Sequence, residues 1–411
     1  MKRTAWVVMV GGMAAALLQP ATAHGAGFEL AEQSALAAGT GGAGAAREGD
    51  PGAVWYNPAA IADGGGFRAG VSLFLALPQI TANPTNTSFA PPKATTNELG
   101  VATPFAAHLA YARGRFGAGL YVGTSHGATV TWPAGWWGRF DATSTSLLVL
   151  RTAPSLSMRF GERGQFRIGA GAHIDYANLD LRRDLDFVDT TGNTNMQMSG
   201  TSAGGDASIF WEATPALSLG LTYQSRTVLH LAGNANFSVP PSFTGRAQDQ
   251  GITSSITLPD RIALGSAWYR GRMALYADAT LTLWSVNDTQ TIHFSQGTMA
   301  DVTQAQHWHE SFSVRAGAET AVSRTLSLRG GAYYDHMAAP SDTLSASSPD
   351  AARVGLTIGG TLRLPRGVCI DSFGAVAILL PREATGPDAI PATYSGYVLY
   401  AGLAVRAGHQ R

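Results

Sequence analysis

From Phe67 the chain alternates, with Phe67, Ala69, Val71, Leu73 and Leu75 on one side and Arg68, Gly70, Ser72, Phe74 and Ala76 on the other. Successive side chains of an extended strand point to opposite faces, so a period of two sets one oily face against a small or polar one. The pattern returns in pairs of segments joined by tight turns. Phe105 to Tyr111 leads through Arg113-Gly114-Arg115 into Phe116 to Val122, and Leu156 to Phe160 leads through Gly161-Glu162-Arg163-Gly164 into Phe166 to Tyr176. Further pairs are Ala207 to Ala213 with Leu217 to Tyr223, Ile262 to Tyr269 with Met273 to Leu281, Phe312 to Ala318 with Leu326 to Tyr334, and Val354 to Leu364 with Val368 to Ala377. A last strand runs from Tyr397 to Arg406. Six pairs and two unpaired end segments make 14 strands.

The connections between pairs are long, at 78–104, 125–145, 177–205, 225–259, 283–311, 336–353 and 378–394, whereas those within pairs are short. Short turns on one side and long loops on the other is the asymmetry of outer-membrane barrels. Charged residues make up 14% of the chain, well under the roughly 25% of soluble proteins, and Gly reaches 49 of 411. A soluble β-sandwich also alternates, but it does not combine this strand count, loop asymmetry and low charge. Lipid admits only a sheet closed on itself, because an open edge leaves backbone groups unpaired. The expected fold is therefore an all-β, 14-stranded antiparallel transmembrane β-barrel over residues 66–411.

The first 25 residues read as a secretory signal peptide. Lys2 and Arg3 precede an apolar run from Ala5 to Leu18 and the small residues Ala21-Thr22-Ala23, with cleavage after Ala23 or Gly25. Beyond it no stretch approaches the ~20 apolar residues of a membrane helix. Loss of Lys2 and Arg3 leaves 26 basic against 28 acidic residues, a net charge of −2 that suggests no nucleic-acid partner. The single Cys369 excludes an internal disulfide framework and a multi-Cys metal site, and reads as a small strand residue.

Between leader and first strand, residues 26–65 are rich in Gly and Ala and show no sustained alternation. A barrel of this size has a lumen that needs filling, and this segment is the expected N-terminal plug. Its run Gly42-Ala43-Gly44-Ala45-Ala46, then Asp50 and Trp55-Tyr56-Asn57-Pro58-Ala59-Ala60, resembles the plug of the FadL/OMPP1/TodX family of outer-membrane transporters for long-chain fatty acids and hydrocarbons. The start Ala26-Gly27-Phe28 is similar as well and favours cleavage after Gly25. The resemblance continues through Leu258-Pro259-Asp260, Asp278, Trp284-Ser285, Gly330 to Asp335 and Pro349 to Arg353, so it covers the mature chain nearly end to end. The C-terminal Arg406-Ala407-Gly408-His409-Gln410-Arg411 departs from it, because such barrels commonly finish on an aromatic residue. The resemblance implies a monomer assembled into the bacterial outer membrane by the barrel-assembly machinery, in contact with outer-membrane lipid. Its cargo would be caught among the outer loops, held in a lumen pocket and released when the plug shifts, sideways through a gap in the wall. Plug residues matching the family are Phe28, Gly42, Gly44, Asn57, Pro58 and Ala59.

Two groups are candidates for ligand contact. Trp132, Trp136, Trp137 and Phe140 crowd loop 125–145, where they form either a capture surface or aromatics at the membrane rim. Opposite the oily faces stand Arg159, Arg167, Arg315 and Arg329, with His173, Asp175, Asp278 and Asp335. An arginine there either meets a carboxylate head group or pairs with a neighbouring acid or the plug.

Three motif matches carry little. Gly39-Thr40-Gly41-Gly42-Ala43-Gly44 fits the dinucleotide pattern, but no strand precedes it. Gly123-Thr124-Ser125-His126-Gly127 fits the nucleophile elbow, yet it ends a strand with no helix behind it. His307-Trp308-His309 offers two imidazoles without a completing ligand, as expected of a solvated loop. The expected function is transport of hydrophobic compounds, long-chain fatty acids first and aromatic or alkane hydrocarbons as the alternative, with no enzyme activity, cofactor or metal. A surface receptor or adhesin using the long loops is the reading from another class.

Overall fold

The computed structural model describes residues 27–408 apart from 86–92, 188, 246, 298 and 387–389, so the expected leader lies outside the described residues. Nineteen strand segments follow the plug. They are β1 (Gly66–Pro84), β2 (Thr95–Thr96), β3 (Phe105–Arg113), β4 (Phe116–Thr131), β5 (Ser144–Phe160), β6 (Phe166–Asp186), β7 (Thr191–Thr214), β8 (Leu217–Gln224), β9 (Thr227–Ser238) and β10 (Gln250–Leu258). The rest are β11 (Arg261–Arg270), β12 (Met273–Thr282), β13 (Thr289–Phe294), β14 (Val302–Ala305), β15 (Ser311–Ala321), β16 (Leu326–Asp335), β17 (Arg353–Leu364), β18 (Val368–Glu383) and β19 (Ala392–Gly408). All neighbours are antiparallel, and β1 closes the ring on β19 from Arg68↔Gly408 to Pro84↔Ala392. Four pairs of segments, β8 with β9, β10 with β11, β12 with β13 and β14 with β15, lie end to end, and the two-residue β2 sits beside β1, so the ring has 14 staves as expected.

The molecule is inside-out relative to a soluble protein. Phe67, Val71, Leu156, Ile168, Ile174, Leu264, Leu356, Ile358 and Leu403 are exposed, while Arg68, Arg151, Arg167, Asp175, Arg315, Arg329, Asp335, Arg353 and Asp371 are buried. An apolar outward band over a charged interior is what a barrel in hydrocarbon requires. Cys369 is buried in β18.

The long connections are shorter than the sequence suggested. Where 177–205 was expected to be loop, β6 runs on to Asp186 and β7 starts at Thr191; 225–259 contains β9 and β10, 283–311 contains β13 and β14, and loop 125–145 shrinks to 132–143. The cause is a change of phase. In the lower part of β6 the apolar Ile174 and Tyr176 face out, whereas further up Ala177 and Leu179 face in. On β7 Ile209 and Trp211 face out and Met196 and Met198 face in. Above the membrane the outer face meets water and the inner face becomes a core, so the same period of two continues with its oily side reversed.

Candidate functional site

The N-terminal segment fills the ring. The short helices Ala35–Ala38 and Ala53–Tyr56 are wholly buried, as is the 3-10 turn Pro58–Ile61. They are too short to be stable by themselves, so it is packing against the wall that holds them. Between them the chain turns at Gly41 and Gly42, both with positive φ of 74° and 86°, conformations that side-chain-bearing residues rarely adopt. Arg315 donates to the Gly41 carbonyl at 3.1 Å, and the Asp278 carboxylate accepts from the amides of Gly44 and Ala45 at 2.7 and 2.9 Å.

Asn57 is the clasp at the end of the plug. Its side-chain amide donates to the carbonyls of Ala45 at 2.7 Å and of Ile209 on β7 at 3.0 Å, and its oxygen accepts from Ala59 at 3.1 Å. Pro58 opens the 3-10 turn, where its missing N–H costs nothing. Ser208 of β7 accepts a second bond from the Ala59 amide at 2.9 Å. The wall is cut away to receive this loop: a Cβ on Gly220 would stand 1.9 Å from the Ala45 carbonyl oxygen. Phe28, Gly42, Gly44, Asn57, Pro58 and Ala59 are all buried in the lumen.

The lumen arginines are paired. Arg47 meets Glu319 at 3.0 Å, Arg167 meets Glu48 at 2.8 Å and also contacts Glu212, and Arg315 and Arg353 share Asp335 at 2.7 Å each. Arg329 and Arg406 both approach Asp371, and Arg329 also reaches the Leu36 carbonyl at 3.5 Å. Arg151 forks onto Asp175 at 2.8 and 3.0 Å. His173 lies 3.1 Å from Asp206, and the half-buried Arg159 donates to the Asp63 carbonyl at 3.3 Å. The candidate residues Arg159, Arg167, Arg315 and Arg329 therefore each touch the plug, and three of them an acid as well.

Above this charged tier the inner face turns apolar. Leu147 and Val149 of β5, Leu179 of β6, Met196 and Met198 of β7, Leu229 and Leu231 of β9, Ile252 of β10 and Ile292 and Phe294 of β13 pack into one cluster. The start of the plug reaches into it, and Phe28 sits 4.7 Å from Trp284, 5.8 Å from Trp308 and 5.9 Å from His126, centroid to centroid. Trp308 is thus buried, and only its neighbours His307 and His309 are exposed, so the expectation of a solvated loop holds for the histidines and fails for the ring between them. Spacing alone did not distinguish it, because its partners lie on other staves. At the floor of the cluster a cavity of the size of one water is bordered by Glu29, Trp55, His126, Arg151, Arg261 and Thr282.

The wall beside this compartment is interrupted. The β3–β4 ladder ends at Ala106↔Gly123, while β4 continues to Thr131 with a bulge between Thr124 and His126. Phe28 to Leu30 fill part of that free edge from inside: Leu30 donates to the Ser125 carbonyl at 3.1 Å and Gly127 donates to that of Phe28 at 2.9 Å. The Gly123–Gly127 segment is thus the seat of the plug's first residues.

The aromatic loop forms part of the cap. Trp132 and Trp136 stack at 4.3 Å and are buried, with the Trp132 indole donating to the Ala346 carbonyl at 3.1 Å and Trp136 to that of Ala142 at 2.8 Å. Trp137 is half-buried and bonds Thr95 at 3.0 Å, and Phe140 lies under Arg139. Asp141 accepts from the Ala346 amide at 2.6 Å, which joins loop 132–143 to loop 336–352; burial raises its pKa above the ordinary aspartate range. Asp350 is raised for the same reason while accepting from Ala338 and Ala339.

The family described as outer membrane protein transport protein (OMPP1/FadL/TodX) matches residues 16–385 of this chain. Outer membrane protein P1 of Haemophilus influenzae is 25% identical over 193 residues, which is 47% of this chain and 41% of that protein, so the match spans less than half of the relative. Among solved structures, a Pseudomonas aeruginosa FadL homologue superposes with a TM-score of 0.85 at 19% identity, covering 94% of this chain and 100% of that one. The P. putida toluene transporter TodX gives 0.75 at 16% (91% and 98%), and the Ralstonia pickettii toluene transporter TbuX gives 0.71 at 19% (92% and 98%). At these identities the structural likeness is one of fold: a 14-stranded barrel. With a family match over most of its length and a lipid-facing ring stoppered by its own N-terminal residues, the chain belongs to the OMPP1/FadL/TodX family of bacterial outer-membrane proteins.

Proposed function

We propose that the chain admits hydrophobic small molecules through the outer membrane by diffusion through the plugged barrel, without covalent chemistry. The observation that carries this reading is the placement of an apolar compartment directly above the plug and beside the free edge of β4. A molecule leaving water for that compartment gains by burial of apolar surface. Seated as it is, the plug closes the compartment, so passage requires Phe28 to Leu30 to leave the β4 edge, which opens the wall sideways toward the lipid. Long-chain fatty acids, the cargo that the family resemblance implies, and the toluene that names TodX and TbuX share the apolar body this route needs. The test is uptake of labelled oleate and labelled toluene by cells with and without the gene. Equal uptake of both compounds in the two strains rules the reading out.

A further inference from the structure

We infer that this lumen is built for uncharged cargo, and that Glu29 and Asp175 set the preference by neutralising Arg261 and Arg151 at the floor of the apolar compartment. The inference rests on the transport reading above. A fatty acid at neutral pH carries a carboxylate, which loses its water on entering and needs a cation in return.

Among the described residues, every arginine buried in the lumen already has an acidic partner. One of them, Arg151, borders the compartment together with the half-buried Arg261. Arg151 commits Nε and Nη2 to Asp175, with both side chains almost fully buried (4% and 0% exposed). Arg261 lies 2.7 Å from Glu29, whose other oxygen receives the Thr282 hydroxyl at 3.4 Å. Both guanidinium groups face the same small cavity, next to Trp55 and His126. The hydrophobic cluster above them is aliphatic, thioether and aromatic, and the buried polar side chains Thr194 of β7 and Gln250 and Ser254 of β10, on strands that form it, are uncharged. A ring or alkyl chain meets its own kind there. A carboxylate meets two cations whose charge Asp175 and Glu29 already cancel, and drawing either cation away from its acid leaves a buried aspartate or glutamate unpaired.

Removing one acid while keeping its shape reverses the logic. Glu29→Gln leaves Arg261, and Asp175→Asn leaves Arg151, as a cation beside the cavity without its counter-charge. Each variant is expected to favour a carboxylate by about tenfold to a hundredfold relative to the native protein, the worth of one hydrogen bond to a charged group.

The experiment uses the purified full-length protein and two probes with the same twelve-carbon tail, radiolabelled 1-dodecanol and dodecanoate, by equilibrium dialysis at pH 8. The native protein is expected to bind dodecanol at least about tenfold more tightly than dodecanoate, with the gap narrowing or reversing in Glu29→Gln and Asp175→Asn. Native binding of dodecanoate as tight as dodecanol overturns the inference and leaves the transport reading standing. A native preference for dodecanol that neither variant moves overturns the assignment to these two acids. Binding of neither probe removes the transport reading and this inference together. Asp175→Asn sits in the barrel wall and Glu29→Gln in the plug, so a folding defect in one leaves the other to decide.

Discussion

The clasp at Asn57 gives the plug a measurable stability. Replacing Asn57 by Ala removes the two donors that reach the carbonyls of Ala45 and Ile209, at 2.7 and 3.0 Å, while the Ala59 amide keeps the bond it donates to Ser208 at 2.9 Å. Two lost hydrogen bonds at a net 0.5–1.5 kcal/mol each cost the seated plug about 1–3 kcal/mol. At 1.4 kcal/mol per factor of ten, the ratio of unseated to seated plug rises about 5- to 150-fold, with no change in the wall. The readouts are trypsin cleavage after Arg47, which is 3% exposed when the plug is seated, amide exchange at Ala45 and Ala59, and ion conductance in a planar bilayer. Gly220→Val attacks the same contact from the wall side, since its Cβ would sit 1.9 Å from the Ala45 oxygen, and must act in the same direction with Asn57 intact. Cleavage, exchange and conductance all within twofold of native in a folded Asn57→Ala barrel refute the argument that this side chain seats the plug.

Two further outcomes follow from the geometry. Lys at Ile358, 72% exposed near the middle of β17, is expected to destabilise the barrel by about 2–4 kcal/mol in urea unfolding from a bilayer, against near zero for Lys at the outward-facing Gln197 of upper β7; equal costs contradict the placement of the lipid band. Burial raises the carboxyl pKa of Asp141 and Asp350, so the folded loops bind these protons more readily than the unfolded chain. The stabilisation is therefore complete at acid pH and is lost as pH rises through the raised values, and a fall in the stability of these loops to unfolding between acid and neutral pH, diminished by Asp141→Asn and by Asp350→Asn, is the expected result.

Much of this was legible before any coordinate. Stave number, closure and the inward set Arg167, Asp175, Arg315 and Arg329 follow from a period of two, because that period is a local property of an extended backbone in a medium that rewards one face, and residues 26–65 stand out as the stretch before β1 that lacks it. Legibility failed where the medium changes. Met196 and Met198 alternate with Asn195 and Gln197 as regularly as Ile209 and Trp211 do with their neighbours, yet their phase is opposite, so a search for one outward oily face ends before the upper strands begin.

What the chain order alone determined is therefore the cylinder and the need to fill it, each dictated by neighbours one or two residues apart and by the absence of water in the bilayer. Only the tertiary structure decided which charges meet, that Trp284 and Trp308 enclose Phe28, and that Phe28 to Leu30 occupy the edge β3 leaves free. Those contacts join residues as distant in the chain as Phe28 and Trp308, and a pairing across a lumen depends on shear and register summed around the whole ring.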